Sequence, residues 1–192
     1  MNALKATWKY GRFFLFPAMS LVALILFFVG GPVITAFAVF MAAFIFLGDL
    51  FFGKDEGTYT YKQAWIFYPL QYTSQVVCAL TVMMFAWLLG YYATGNDPFG
   101  FGGFVQSLTG YDLLAANAQN TIWEMLGALG LAAIAATNAS IIVGHELTHR
   151  TENPVAVFMG RLGEAFGMFT LFSIRHPYGH HNLVCTPADP AT

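Results

Sequence analysis

The fold is decided by FFLFPAMSLVALILFFV (13–29) and VITAFAVFMAAFIFLGDLFF (33–52), two apolar stretches separated by Gly-Gly-Pro (30–32). A helix that crosses the hydrocarbon core of a bilayer needs about 20 consecutive apolar residues. Two glycines followed by a proline end one helix and begin the next. The sequence therefore predicts a tight hairpin of two membrane-spanning helices. A cleavable signal peptide is disfavoured because its small-residue site, Ala-Phe-Ala (36–38), would lie inside the second stretch.

The composition of the whole chain agrees with a membrane protein. Of 192 residues, 57% are hydrophobic and only 9% are charged, whereas a soluble domain carries about 25% charged residues. This balance disfavours a disordered chain and a nucleic-acid-binding protein, and two cysteines do not make a disulfide scaffold. Two further apolar runs complete an all-α polytopic helix bundle, predicted as a single membrane domain over 1–192 with four transmembrane spans at about 13–29, 33–52, 64–93 and 121–144.

The basic residues indicate the orientation of the bundle. Segments rich in Lys and Arg remain on the cytoplasmic side of a membrane. The loop 94–120 contains neither residue, so it is predicted to lie outside. With the N-terminus inside, six basic residues fall on the cytoplasmic side: Lys5, Lys9, Arg12, Lys54, Lys62 and Arg150.

All five histidines lie in two short clusters, HELTH (145–149) and HPYGHH (176–181). Residues i and i+4 of a helix share a face, so His145 and His149 can bind one metal ion, and His176 is related to His180 in the same way. His181 is offset by about 100° from His180 on a helix, so it could reach a second metal. Ordinary polar histidines at a membrane surface are the alternative interpretation.

The segment 154–174 is apolar enough to resemble a fifth span. Only about 26 residues separate the two clusters, so one crossing would leave them on opposite sides of the membrane. Arg161 and Glu164, at i and i+3, fit an interfacial helix better than a lipid-buried one. We therefore predict that 154–174 is interfacial or re-entrant and brings both clusters to the cytoplasmic side.

His-Glu-x-x-His also matches the zinc-peptidase motif, in which Glu146 would be the general base and the second cluster would supply a third ligand. Three imidazoles in that cluster indicate a larger, dinuclear site, and imidazole alone does not select between Zn, Cu, Fe and Ni. Asn138 lies seven residues before His145, on roughly the same helix face. It could orient a ligand imidazole, or form an interhelical hydrogen bond with Thr137 or Ser140.

HELTHR (145–150) and HPYGHHNLVCTPADPAT (176–192) resemble the first two histidine boxes of membrane alkane 1-monooxygenases and xylene monooxygenases, within the membrane fatty-acid desaturase/hydroxylase group. FLGDLFFGKDEG (46–57) is also similar to that family's Asp-containing stretch. The resemblance implies a non-haem di-iron centre that uses O₂ to hydroxylate alkane or alkyl C–H bonds, with a rubredoxin or ferredoxin as electron donor. It implies a hydrocarbon or lipid substrate and a location in the bacterial inner membrane. The implied iron ligands are His145, His149, His176, His180 and His181.

The chain departs from that family in two ways. Arg175 stands where the monooxygenases typically have Glu, and the family's further histidine boxes do not occur before Thr192. Because five imidazoles do not complete a dinuclear site, we expect the chain to be the N-terminal portion of such an enzyme and to be inactive alone. Three alternatives remain: a fatty acid desaturase or hydroxylase with the same site, a zinc intramembrane protease, and a non-catalytic fragment. The oligomeric state is not predicted.

Overall fold

The computed structural model describes residues 8–52 and 60–189, and these residues form helices and no strand, as predicted. The α-helices are α1 Leu15–Val29, α2 Val33–Phe52, α3 Phe67–Thr94, α4 Phe101–Thr109, α5 Leu113–Asn117, α6 Ile122–Thr137, α7 His145–Thr148, α8 Pro154–Phe166, α9 Phe172–Arg175 and α10 His181–Leu183. Single 3₁₀ turns form at Arg12–Phe14, Ala64–Ile66 and Pro98–Gly100. Two π-helical segments, Asn138–Gly144 and His176–His180, precede α7 and α10. Lys5, Lys54, residues 53–57 of the FLGDLFFGKDEG motif and the motif end 190–192 lie outside the described residues.

Among residues 8–52 and 60–189, four helices are long and apolar enough to cross a membrane, in agreement with the predicted number of spans. They are Trp8–Val29, Val33–Phe51, Ala64–Thr94 and Ile122–Thr148. The fourth is a continuous rod of α6, the first π-helical segment and α7, so it ends at the first histidine cluster.

The basic N-terminal segment and the segment after residue 59 meet at one end of the bundle. Arg12 donates a hydrogen bond to the Tyr61 hydroxyl (2.7 Å), and the Lys9 ammonium donates to the Thr60 carbonyl. Arg150 lies at the same end, where it donates to Gln71 Oε1 near the start of α3 (2.6 Å). Lys9, Arg12 and Arg150, which were predicted to share one side of the membrane, therefore lie at the same end of the bundle.

The connections that lack Lys and Arg close the opposite end. The Gly31 amide, at positive φ (73°), donates to Asn120 Oδ1 (2.7 Å), and the Tyr111 hydroxyl donates to the Phe28 carbonyl (2.9 Å). Thr121 and Glu124 form a capping box that begins α6. The hairpin of α1 and α2 is thus fastened to the start of the fourth span.

The core of the bundle is apolar and lies where α1, α2, α3 and α6 pack together. Phe27, Ile34 and Leu88 are fully or almost fully buried there, and Leu131 of α6 joins the same cluster. Many other large apolar side chains of the four spans are exposed on the outer surface, as Val39 and Phe46 of α2 are. A surface of this kind suits contact with lipid.

Helix α8 begins at a cap and runs back along the fourth span. Asn153 Oδ1 accepts hydrogen bonds from the amides of Val155 and Ala156 (3.0 and 3.1 Å), and Pro154 takes the first helical position, where a missing N–H is harmless. With 13 residues, α8 is about 20 Å long, short of the roughly 30 Å hydrocarbon core.

Three glycines of α8 and the turn after it show its direction. Gly160 lies against the Gly144 carbonyl, where an added Cβ would be 3.1 Å away, Gly163 lies against Ala139, and Gly167 lies against Ser140. Because later residues of α8 meet earlier residues of the fourth span, the two run antiparallel. The chain then turns at Met168 (φ 56°) and returns to the histidine end. Residues 154–174 therefore do not cross the bundle.

Arg161 and Glu164, the two charged residues of α8, differ in exposure. Arg161 is exposed, but Glu164 is 0% exposed. The cause is a hydrogen bond: Glu164 Oε2 accepts from the Ser173 amide (3.0 Å), so the carboxyl group points into the packed turn between α8 and α9.

Gly163 is the position where α8 approaches the fourth span most closely. A Cβ at this residue would clash with the Ala139 carbonyl oxygen and with the Gln75 side chain. We predict that Gly163→Ala destabilises the protein by about 1–3 kcal/mol, because the backbone of α8 must move away. Gly130→Ala is the matched control, since Gly130 also lies in a helix and has open space around it; there we expect no loss, or a gain of up to about 1 kcal/mol. Thermal unfolding in detergent measures both, and equal melting temperatures for the two variants would contradict the packing described.

Candidate metal centre

His145 is positioned by an irregular stretch of the fourth span. Gln75 of α3 donates from Nε2 to the Ala139 carbonyl (2.9 Å), and Asn138 donates from Nδ2 to Ser74 Oγ (3.0 Å). A side chain that inserts into the ladder of helix hydrogen bonds bends or widens it. The π-helix at this point sets the direction in which His145 leaves the rod, and π-bulges of this kind are frequent at functional sites.

A second π-helix sets the directions of the three histidines in the second cluster. Pro177 has no N–H and cannot continue the α-helical ladder, so the helix widens. The His181 amide instead donates to the His176 carbonyl, an i to i+5 bond. This bond places His181 on the face of His176. The i, i+4 spacing of an α-helix predicts that His180, rather than His181, shares the face of His176. The structure differs because this stretch is a π-helix, in which residues i and i+5 share a face.

Four of the five histidines converge at the end of the fourth span. The distances between Nε2 atoms are 2.7 Å from His145 to His176, 3.0 Å from His145 to His149 and 3.0 Å from His176 to His181. One nitrogen of each ring lies within 4.8 Å of the others. His145 and His176 are half-buried, whereas His149 and His181 are exposed.

This arrangement fits a metal ion better than a hydrogen-bond network. A neutral imidazole has one N–H and one lone pair, and the Nε2 atom of His176 contacts two other Nε2 atoms. A single proton on that nitrogen cannot be directed at both. Metal–nitrogen bonds of about 2.0–2.1 Å place two ligands of a tetrahedral ion about 3.3 Å apart. Small outward shifts of the rings would therefore suit one ion.

The surroundings of two rings in the group, those of His176 and His149, favour the unprotonated form. Burial, together with the positive charge that His145 and His181 would carry, lowers the pKa of His176 from its usual 6.5 to about 4. Burial also lowers the pKa of His149, with smaller contributions from His145 and His181. At neutral pH these imidazoles are neutral, which is the form that binds metal.

His180 lies outside the group of four. Its Nδ1 is 2.9 and 3.0 Å from the two carboxylate oxygens of Asp189, whose side chain is only 3% exposed. A carboxylate that holds one nitrogen of a histidine orients the ring and makes its other nitrogen a better ligand. The His180 ring also stacks on His176 at 5.4 Å between centroids, so it borders the group.

Glu146 is engaged with Arg150 at the surface. The guanidinium and the carboxylate are 3.5 Å apart, and the Glu146 side chain is 55% exposed. Arg150 is itself fixed by Gln71 and lies over the Tyr68 ring at 4.5 Å. Glu146 is still close enough to His149 to oppose the lowering of its pKa.

Asn138 does not orient a histidine in this structure. Its amide contacts Ser74 and lies 3.4 Å from Cys78 Sγ. It forms an interhelical hydrogen bond, as the alternative prediction had it, but with α3 rather than with Thr137 or Ser140.

A cavity of about 350 Å³ adjoins the histidines. Its walls come from the turn after α8, including Phe169, Leu171 and Phe172, and from His176 and His180. The Phe172 ring stacks on His176, with 4.4 Å between centroids and 13° between planes. The cavity therefore connects an apolar turn directly to the imidazoles.

Two acids of this region were not assigned a role from the sequence. Asp189 is part of the TPADPAT motif, but nothing in the spacing shows that it reaches His180 nine residues earlier. Glu164 was cited only, together with Arg161, as favouring an interfacial helix. An acid within an apolar segment is the signal that could have marked it, since a carboxyl group is buried only where it finds a hydrogen-bond partner.

The chain was compared with known proteins. No family model matches it, and no solved structure matches it significantly. It is similar to an alkane 1-monooxygenase from Ectopseudomonas oleovorans, with 37% identity over 70 residues. The match covers 36% of this chain and 17% of that relative, so the chain matches only a small part of the relative's length.

We predict that the two histidines of the second cluster differ in their contribution to metal binding. His176→Ala removes the imidazole that contacts two others and should weaken binding of Co²⁺ by more than about 100-fold. His180→Ala removes a ring outside the group of four and should weaken it by no more than about 10-fold. Titration with Co²⁺, monitored by its visible absorption, measures both affinities. Equal losses in the two variants would contradict the grouping.

Proposed function

We propose that this chain belongs to an integral-membrane monooxygenase that uses non-haem iron and O₂ to hydroxylate C–H bonds of an alkane or alkyl group. The convergence of four imidazoles is the observation that carries the proposal. The partial similarity to an alkane 1-monooxygenase supports the reaction class, and the four apolar helices support a site at a membrane.

We propose iron as the metal, with His145, His149, His176 and His181 as ligands of one ion and His180 as a candidate ligand of a second. Imidazole is a suitable ligand for iron. When bound, the iron would supply the reductive activation of O₂ and the transfer of one oxygen atom to the C–H bond. The chain's own residues hold the imidazoles: Gln75 and the π-helices set their directions, and Asp189 fixes His180.

The substrate is proposed to arrive from the bilayer. Met168, Phe169 and Leu171 are exposed by 94%, 47% and 60% in the turn that forms the cavity wall. An apolar chain that partitions into the membrane can enter between them and reach His176. Phe172 covers one face of the His176 ring and keeps water from that side.

The electron donor is proposed to be a rubredoxin or ferredoxin that docks at the histidine end. His149 and His181 are exposed there, so a soluble protein can approach the site from water. Substrate and reductant would thus reach the metal from different sides, one apolar and one aqueous.

A desaturase or hydroxylase acting on fatty acyl chains would use the same residues and differ in the outcome of the reaction. A zinc protease is less favoured, because a catalytic zinc usually has three protein ligands and keeps a position for water. Four imidazoles in one group leave no such position, and the carboxylate of Glu146 is paired with Arg150.

The experiment that tests the proposal uses the full protein in its native membranes. Metal analysis is combined with O₂-dependent conversion of an n-alkane to a primary alcohol, and the His145→Ala, His176→Ala double variant is the control. We expect iron and alcohol in the wild type and neither in the variant. If the protein contains zinc and cleaves peptides, the protease interpretation replaces the proposal. If it contains no bound metal, the proposal is contradicted and the chain is non-catalytic.

We also propose that the protein lies in the bacterial inner membrane as a single membrane domain, with the histidine end in the cytoplasm. A membrane-impermeant maleimide tests the orientation, because Cys185 is exposed near the histidines and Cys78 is buried. In spheroplasts, Ser107→Cys on α4, placed in a Cys185→Ser background, should be labelled, since the loops without Lys and Arg lie outside. Native Cys185 should be labelled only after permeabilisation. The reverse pattern would show the opposite orientation.

A further inference from the structure

One helical stretch carries His176, His180 and His181. It begins with α9 at Phe172 and continues through the second π-helix to α10. The first amides of a helix have no partner within the helix and need an outside acceptor. The residue at the N-cap is Leu171, and no side chain caps the helix from that position.

Glu164 supplies the missing acceptor from a different helix. It lies on α8, and its Oε2 accepts a hydrogen bond from the amide of Ser173, the second residue of α9, at 3.0 Å. The backbone carbonyl of Glu164 also accepts from the Phe169 amide (2.8 Å), so the same residue holds both sides of the turn.

The burial of Glu164 is complete, and it is costly. The residue is 0% exposed, and no described residue hydrogen-bonds to its Oε1. Burial raises the pKa of this carboxyl group. Burial of a carboxyl group without a hydrogen-bond partner is costly, so the bond to Ser173 is the contact that offsets the burial of Glu164.

The position of Phe172, the residue before Ser173, indicates that role. The Phe172 ring stacks on His176 and also contacts the edge of His145, with 5.6 Å between the ring centroids of Phe172 and His145. A change at the start of α9 would therefore move the ring that lies between the two histidine clusters.

We propose that Glu164 is a positioning residue that fixes the start of the second histidine helix, so that His176 and His181 meet His145 and His149. The part of this inference that concerns metal binding rests on the proposed function. The part that concerns the hydrogen bond and the position of the helix is independent of it. Glu164 acts through Ser173 and Phe172 and touches no metal ligand itself.

Three variants separate this role from simple packing. Glu164→Gln keeps an oxygen acceptor at the same distance from the backbone. Glu164→Leu removes the acceptor and keeps the volume roughly constant. Glu164→Asp is shorter by one methylene, so it stays polar but cannot reach the Ser173 amide. It tests the role of this hydrogen bond if the leucine variant does not fold. Ser173→Ala retains the backbone amide that Glu164 holds and removes only the hydroxyl group beside the carboxyl group, so it separates the contribution of the amide from that of the Ser173 side chain.

Hydrogen exchange of the metal-free protein in detergent is the first readout. In Glu164→Leu and Glu164→Asp, we expect amides of residues 172–183 to exchange at least about 10-fold faster than in the wild type, while those of α6 remain unchanged. Glu164→Gln and Ser173→Ala should stay within about 3-fold of the wild type. Equal exchange in all variants, or acceleration throughout the protein, would overturn the proposal.

Binding of Co²⁺ is the second readout. Glu164→Leu should weaken it by about 10-fold, a loss typical of a residue that orients a ligand, and Glu164→Gln should restore it. Equally weak binding in both variants would overturn the positioning role. If the wild-type protein binds no Co²⁺, the metal proposal fails, and hydrogen exchange still decides the role of Glu164.

Discussion

The close approach of α8 to the fourth span is the contact on which the histidine group depends. Gly160 and Gly163 have no side chains to hold the two backbones apart, and the Ala139 carbonyl lies directly against α8. Because α8 is pressed onto the span and runs antiparallel to it, the turn after α8 returns the chain to His145. A wider separation would displace the second cluster together with the turn that carries it.

The same contact explains why so many polar groups lie in an apolar bundle. Gln75, Asn138 and Glu164 are 4% exposed or less. Hydrogen bonds of Gln75 and Asn138 join α3 to the first π-helix, and Glu164 of α8 accepts a hydrogen bond from the start of α9. An unpaired polar group is costly in such a setting. These residues hold the helices at fixed depths relative to one another, and this brings imidazoles from two helices to within 3 Å. Convergent lone pairs would repel one another, so a bound cation would stabilise the same geometry that the packing imposes.

The sequence predicts the coarse features well because length and polarity determine them. Apolar runs of sufficient length must cross the bilayer, and the requirement that two histidine clusters meet on one side implies the return of residues 154–174. The finer features depend on packing. Pro177 is visible in the sequence, yet the π-helix around it, which exchanges His181 for His180, depends on how the amide of His181 finds a carbonyl. The burial of Glu164 and the pairing of Asp189 with His180 are contacts between distant or irregular segments, and periodicity carries no information about them.

Arg175 stands where the monooxygenases that the chain resembles typically have Glu, and it lies where charged and apolar surfaces meet at the site. It is exposed, and it borders the cavity whose other walls are largely apolar. Its guanidinium can remain in water while its alkyl stem covers apolar surface.

The rim of the cavity thus combines a charged group with exposed Met168 and Leu171, and such a rim suits the boundary between lipid and water. In the function proposed above, an apolar substrate would approach from the side of the exposed turn, whereas electrons and protons would enter through His149 and His181. The proposed reaction joins a hydrocarbon to O₂, electrons and protons, and the histidine group would serve it because both an apolar turn and exposed imidazoles border the group.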